Sequence, residues 1–191
     1  PLPLGRPPRA FMASSAAEGP RASLLDGPLA QALAGRWDLR KDIDYQTAGG
    51  VATFEGHADF VVVSADASPA RVWYREEGQL RMASSGGVAE AHRALLFVLD
   101  GRRGDAYFVD DPSHAAGPCD VPAEALRHFF AFDLSAEGAR EAAFDHWCPP
   151  DAYSGRMALL GDASWRLEWL VQGPSKPGCT THASYTRARG G

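Results

Sequence analysis

The residues that could do chemistry are a few ionisable side chains set into strongly apolar segments. Glu76 shares a period-two face with Tyr74, and His146 and Cys148 share one with Phe144. Residues two apart in a β-strand point to the same side, so these groups are predicted to point inward. An ionised group in an apolar interior is costly unless it is paired. We therefore expect Glu76, His146, Tyr153 and Arg187 to form one hydrogen-bonded network, joined by Lys176.

Three interpretations of this network stay open. Apolar walls with a few placed polar groups are typical of a small-molecule site. The structural alternative is a charged network that only stabilises the interior of the fold. This alternative is favoured, because such networks in small barrels are commonly structural. An enzyme using Glu76, His146 and Cys148 is the third, but no oxyanion-hole signal accompanies them, so no catalytic residue is assigned. The residues predicted to bind a ligand are Glu76, His146, Cys148, Tyr153, Trp169 and Arg187.

Metal ligation is weakly supported. His146, Cys148 and Asp151 have side chains that suit zinc, but a second ligand pair at a standard spacing is missing. Three cysteines without a CxxC pair make a poor disulfide framework, although one bridge among Cys119, Cys148 and Cys179 stays open. The sequence therefore predicts no metal site, and it leaves the identity of any cofactor unknown.

Composition excludes two classes of partner. The chain of 191 residues has 19 basic and 24 acidic side chains, a formal net charge of -5. A nucleic-acid-binding protein normally carries a basic face, so no nucleic-acid role is expected. No run of about 18 apolar residues exists, so no membrane-spanning helix is expected.

Period-two alternation recurs from residue 36 onward and predicts about ten short strands. Short connections favour antiparallel pairing, and closure into a meander barrel removes the exposed sheet edges. We predict an all-β, antiparallel up-and-down barrel of eight to ten strands after one short helix, with a β-sandwich as the alternative. The strands are predicted at 36–45, 51–63, 71–82, 94–99, 105–109, 126–134, 142–148, 153–160, 165–172 and 180–187, and the helix at 28–33.

Two tryptophans fall on the polar faces of these strands. Trp73 lies between Arg71 and Arg75, and Trp147 follows Asp145 by two positions. Both are expected to be exposed. A singly exposed tryptophan is normal, but it is also a preferred interface anchor.

The start of the first predicted strand carries a recognisable signature. Gly35, Arg36 and Trp37 resemble the Gly-x-Trp motif of lipocalins, in which the tryptophan plugs one end of the barrel and an arginine of the last strand packs over its ring. Arg187 matches that arginine, and a cation over an indole face is attracted by the ring quadrupole. The resemblance implies a lipocalin-like fold with Gly35, Trp37 and Arg187 as its structural signature.

A closer resemblance covers most of residues 33–187. The chain is similar to a family of uncharacterised lipocalin-like, calycin-type domains found in bacteria, fungi and algae, which implies the fold but no function. The matching blocks are Gly35-Arg-Trp, Tyr74-Arg-Glu-Glu-Gly, His146-Trp-Cys-Pro-Pro-Asp-Ala-Tyr, Trp169-Leu-Val-Gln-Gly-Pro-Ser-Lys and Tyr185-Thr-Arg.

The N-terminal segment differs in composition from the rest. Residues 1–25 are predicted to form an extended Pro/Arg-rich arm, and residues 26–191 to form the barrel domain. The arm resembles the end of an organellar transit peptide, which indicates a chloroplast or mitochondrion, with the cytoplasm as the alternative. The arm also suggests a protein partner, so the chain is interpreted either as a binder of a small, partly apolar molecule or as an accessory subunit of a larger complex.

Overall fold

A computed structural model describes residues 22–46, 50–64, 68–111, 115, 117–118, 121–174 and 176–189. The elements are α1 (Leu29–Leu33), β1 (Gly35–Tyr45), β2 (Gly50–Ser64), β3 (Ala70–Met82), β4 (Val88–Asp100), β5 (Arg103–Val109), a 3-10 turn (Ala123–Ala125), β6 (Leu126–Asp133), β7 (Glu141–Cys148), β8 (Asp151–Gly161), β9 (Ser164–Gln172) and β10 (Cys179–Arg187). No helix within these ranges is long and apolar enough to cross a membrane.

The ten strands form one antiparallel sheet in the order β6-β5-β4-β3-β2-β1-β10-β9-β8-β7. Consecutive strands pair with each other throughout, except that β1 also pairs with β10 and β6 does not pair with β7. The sheet curls into a nearly closed up-and-down barrel whose alternating apolar side chains face inward. The predicted all-β barrel with one short N-terminal helix is therefore confirmed.

The barrel closes at the junction between β6 and β7, which we call the seam. The described strands form no backbone ladder there, and aromatic side chains make the join instead. The rings of Phe130 in β6 and Phe144 in β7 stack with centroids 4.4 Å apart. Phe129 also stacks on Trp169 of β9 at 5.0 Å. Ring stacking thus replaces the hydrogen bonds that join the other strands.

Glycines next to the seam let these rings lie flat on the neighbouring strand. Gly155 of β8 is the register partner of Phe144. A Cβ atom at Gly155 would lie 2.1 Å from Cε2 of Phe144, far inside van der Waals contact. The same arrangement recurs on the other side, where a Cβ atom at Gly104 would lie 2.7 Å from Cζ of Phe132. Both positions need glycine, because a phenylalanine ring of the neighbouring strand occupies the space that a side chain would fill.

The closed end of the barrel is built on Trp37. Its side chain is fully buried, and its indole N–H donates to the carbonyl oxygen of Leu33 at 2.7 Å. The guanidinium of Arg187 lies 4.0 Å from the centroid of a Trp37 ring. Arg187 also donates to the carbonyl oxygens of Ala34, at 2.8 Å, and of Ala32. The pairing of Trp37 with Arg187 expected from the sequence is present, and it also caps the C-terminal end of α1.

Arg102, in the turn between β4 and β5, ties two further chain segments to this end. Its guanidinium donates to the carbonyl oxygens of Leu24, Gly27 and Leu134, each at 3.1 Å. One arginine therefore satisfies backbone acceptors from the N-terminal segment and from the connection after β6.

The predicted arm is described only in part. Residues 1–21 lie outside the described residues, as does Cys119, so the docking role and the organellar address stay predictions. Leu24 is fully buried at the closed end, and Ser23 Oγ donates to Asp162 at 2.7 Å. The last residues of the predicted arm thus pack on the barrel.

One expectation about the outer face is wrong. Trp73 is only 3% exposed, because it packs with Leu96, Val109 and Val121 in a small cluster outside the barrel. Described residues of the connection between β5 and β6, including Val121, cover this part of the sheet. Trp147, by contrast, is 64% exposed, as expected.

Replacing Arg187 by alanine is expected to lower the free energy of unfolding by about 2–4 kcal/mol. The change removes the donor from the carbonyls of Ala32 and Ala34 and the cation from the face of Trp37. Urea denaturation measures the effect. Arg189→Ala, at an exposed arginine two residues further on, is the matched control and should change stability by less than about 0.5 kcal/mol. Equal losses in both variants would contradict this role of Arg187.

Replacing Gly155 by alanine is expected to destabilise the barrel by about 1–3 kcal/mol. The added methyl group must displace the ring of Phe144 and with it the stack on Phe130. Gly161→Ala in the same strand is the control, because its Cβ would meet nothing closer than 4.0 Å. Thermal unfolding of the two variants separates the effects, and a Gly155→Ala variant as stable as Gly161→Ala would show that the seam tolerates displacement of the ring.

Candidate functional site

The interior above the closed end is not filled by side chains. It contains a cavity of about 380 Å³, within the usual range for small-molecule sites. A barrel of ten strands is wider than one of eight, whose interior side chains can fill it. The rings of Tyr74, Trp165 and Tyr185 are among the lining residues nearest the closed end, and Trp165 stacks on Tyr185 at 3.7 Å.

A group of ionisable residues, Lys41, Glu76 and Arg93, forms what we call the charged wall. Glu76 is only 6% exposed. The ammonium group of Lys41 donates to one oxygen of the Glu76 carboxylate, and the hydroxyl of Tyr74 donates to the other. Nε of Arg93 lies 4.0 Å from Glu76 Oε1, and the hydroxyls of Tyr74 and Tyr185 are 3.2 Å apart. The carboxylate is thus paired on both of its oxygens.

The electrostatics of the charged wall keep Glu76 ionised. Burial alone would raise the pKa of its carboxyl, but the positive charges of Lys41 and Arg93 and the hydrogen bonds from Lys41 and Tyr74 outweigh it and lower the pKa. Burial, and then the negative charge of Glu76, raise the pKa of Tyr74 well above 10. Tyr74 therefore remains protonated and acts as the donor in its hydrogen bond to Glu76.

Aromatic residues on β6, β8 and β9 form the aromatic wall, defined here as Phe129, Phe130, Tyr153 and Trp169. In the strand order, these strands lie across the barrel from β1, β3 and β4, which carry the charged wall. The ring of His146 packs edge-on to Phe129 at 5.2 Å and lies 5.9 Å from Tyr153. Burial lowers the pKa of His146, so its imidazole is neutral at neutral pH.

Five of the six predicted ligand-binding residues line this cavity. They are Glu76, His146, Cys148, Tyr153 and Trp169. Cys148 and Cys179 are both free thiols in its lining. Within the described ranges, no three His, Cys, Asp or Glu side chains come close enough together to hold a metal ion. The contacts of these five residues with a ligand stay a prediction.

The sixth residue, Arg187, is misplaced by the sequence analysis. The predicted hydrogen-bonded network of Glu76, His146, Tyr153 and Arg187 is wrong. Glu76 is paired with Lys41 and Tyr74, and Arg187 lies over Trp37 at the closed end. Period-two alternation shows which face a side chain occupies but not its height along the barrel. The cation that meets Glu76 is Lys41, four residues above Trp37 on the same inward face.

The sequence analysis missed Lys41, although its position carries a signal. Leu39, Lys41 and Ile43 share one period-two phase, and a lysine between two inward apolar residues predicts a buried cation that needs a carboxylate partner. Arg93 gives no comparable signal, because its position depends on the register of β3 with β4, which pairs it with Glu76.

Replacing Glu76 by glutamine is expected to lower the free energy of unfolding by about 3–5 kcal/mol, because Lys41 is left buried without its counter-charge. The double variant Lys41→Met, Glu76→Gln removes both charges and should lose less than Glu76→Gln alone. Guanidinium denaturation of the wild type, both single variants and the double variant closes the cycle. If the stability lost in the double variant equals the sum of the losses in the two single variants, the two charges do not depend on each other.

The same pair predicts a dependence on pH. Between the lowered pKa of Glu76 in the folded protein and its ordinary value of 4.5, the unfolded chain binds more protons than the folded one. Stability contributed by Glu76 is therefore complete above pH 4.5 and is lost as the pH falls through the folded-state pKa. The Glu76→Gln variant should lack this component when denaturation midpoints are compared from pH 7 to pH 3.

Comparison with known proteins gives a family and a fold. No curated protein matches the sequence. Among solved structures, the barrel is similar to the S-type phycobiliprotein lyase CPES from Guillardia theta, with a TM-score of 0.56 and 12% identity over 85% of this chain and 92% of the lyase. At this identity the similarity shows the fold alone.

Two further structures match with lower TM-scores. They are EF1p2_mFAP2b bound to DFHBI, with a TM-score of 0.38 and 12% identity over 83% of this chain and 96% of its own, and the redesigned β-barrel mFAP1 bound to DFHBI, with a TM-score of 0.36 and 11% identity over 83% and 97%. The chain itself matches the model of a family over residues 33–187. Because this match covers most of its length, the protein belongs to DUF6314, a family of unknown function.

Proposed function

We propose that the protein binds a small, partly apolar molecule inside the barrel and performs no chemistry on it. The observation that carries this proposal is the cavity of about 380 Å³ between the aromatic wall and the charged wall. Protein interiors are normally packed to crystal-like density, so an unfilled interior of this size is typical of a binding site and not of a core.

The aromatic wall supplies the main source of affinity. Burying about 200 Å² of apolar ligand surface contributes about 5 kcal/mol before the cost of association is subtracted. Trp169 and Phe129, which stack on each other with centroids 5.0 Å apart, both line the cavity and present a rigid apolar surface to it. The expected ligand therefore has a planar or chain-like apolar body.

The charged wall supports a binding role over a purely structural one. A buried ion pair is weak evidence for stability, because the cost of removing both charges from water offsets their attraction. Lys41 and Glu76 border the cavity, so a ligand can reach them. Few placed polar groups in an apolar lining are what orient a bound molecule.

The state of the same groups supports the absence of catalysis. A general base needs free lone pairs and a pKa near the working pH. Glu76 already accepts hydrogen bonds from Lys41 and Tyr74, and its pKa is lowered. Its carboxylate is thus suited to holding the charged wall together and poorly suited to taking a proton.

Filling the cavity should weaken binding. Thr181 of β10 lines the cavity beside its register partner Trp169, so Thr181→Phe places a ring where the ligand would lie. We expect the variant to bind the neutral fluorophore N-phenyl-1-naphthylamine at least about tenfold more weakly than the wild type, measured by fluorescence titration. Ser184→Phe adds the same ring to the exposed face of the same strand and should bind as the wild type does.

The outcomes are distinguishable when circular dichroism shows that both variants are folded. Equal binding by the wild type and a folded Thr181→Phe variant would mean that the dye binds elsewhere. No saturable binding by the wild type would remove the support for an apolar-ligand site.

A further inference from the structure

The ionisable lining of the cavity is biased towards positive charge. Its described lining residues include three cations, Lys41, Arg93 and Lys176, and one carboxylate, Glu76. The whole chain carries a net charge of -5, so this excess of cations is local. A positively charged cleft within an acidic protein selects for an anion.

The single carboxylate of the lining, that of Glu76, is already engaged by hydrogen bonds. Both of its oxygens accept hydrogen bonds, from Lys41 and from Tyr74. Arg93 comes no nearer than 4.0 Å to Glu76, and its side chain remains 49% exposed. Lys176 forms no ion pair with any residue that the structure describes. Two cations at the cavity therefore keep most of their capacity to donate hydrogen bonds.

Most of the hydrogen-bonding groups of the lining that are not fully engaged are donors. Besides Arg93 and Lys176, two buried nitrogens of the lining meet no partner within the described residues. They are the indole N–H of Trp165, which is a donor, and Nε2 of His146, which donates or accepts according to its tautomer. A buried N–H without an acceptor is costly, and occupied sites commonly satisfy such groups. A ligand rich in acceptors would complement this lining, whereas a cationic or donor-rich ligand would face charges of its own sign.

Building on the proposed function, we propose that the ligand is an organic carboxylate, with its acid group at Arg93 and its flat apolar body along the aromatic wall. A carboxylate matches the planar fork of an arginine, which can donate two parallel hydrogen bonds to it. The two walls lie across the barrel from each other, so an acid group at one end of an aromatic body meets both.

A matched set of probes tests the acid group separately from the body. We expect 1-pyrenebutyrate to bind the wild-type protein at least about tenfold more tightly than the neutral 1-pyrenebutanol, because a hydrogen bond to a charged group is stronger than one to a neutral group. Fluorescence titration measures both. The cation 1-pyrenebutylamine, which has the same four-carbon chain, should bind more weakly than either.

Two variants test whether the preference for the acid depends on Arg93. Arg93→Met keeps an unbranched apolar stem and removes the charged guanidinium, so it should weaken the binding of 1-pyrenebutyrate about tenfold and leave that of 1-pyrenebutanol unchanged. Arg81→Met makes the same change in net charge at an exposed residue outside the cavity lining and should alter neither.

The outcomes separate this inference from the proposed function. Equal affinity for the acid and the alcohol, or tighter binding of the amine, would overturn the carboxylate assignment while binding in the cavity stands. If Arg93→Met and Arg81→Met weaken the binding of 1-pyrenebutyrate equally, the effect comes from the net charge of the protein and not from a contact with Arg93. That result would also overturn the carboxylate assignment. No binding of any pyrene probe would count against both proposals.

Discussion

The structure depends on one join, between β6 and β7, where no backbone-to-backbone ladder is formed within the described residues. An antiparallel sheet that curls without closing leaves two edge strands, β6 and β7, with unpaired peptide groups, and exposed edges promote pairing between molecules. Here the stack of Phe130 on Phe144 brings these edges together. Gly155 makes the stack possible by leaving room for the Phe144 ring. The fold is thus completed by side-chain packing at its most vulnerable point.

The same constraint shapes the cavity. Phe129 and Phe130 belong both to the seam and to the cavity lining, so the residues that close the barrel also form the surface offered to a ligand. The other end is sealed by Trp37 and Arg187 together with α1. Because the seam and the closed end are both fixed by packing, the cavity is preformed. A preformed cavity reduces the entropy cost of ordering the protein when a ligand binds.

Much of the fold was predictable, because alternation and turn residues report directly on strands. The ten strands and the inward face of Glu76 follow from period-two patterns, and Lys41 could have been placed by the same rule. Height along the barrel could not be read in this way, since it depends on the register between distant strands, and Arg187 was therefore assigned to the wrong network. The cover over Trp73 was equally hidden, because it comes from an irregular connection without periodicity.

The central claim is that an acidic, apolar molecule binds inside the barrel, and the five tryptophans provide a direct measurement of its position. In ¹⁵N NMR spectra, titration with 1-pyrenebutyrate should shift the indole signals of Trp165 and Trp169, which line the cavity. Those of Trp73, under the connection on the outer face, and Trp147, exposed on β7, should stay in place. Shifts confined to Trp147, with Trp165 and Trp169 unmoved, would place the binding surface outside the barrel and contradict this account.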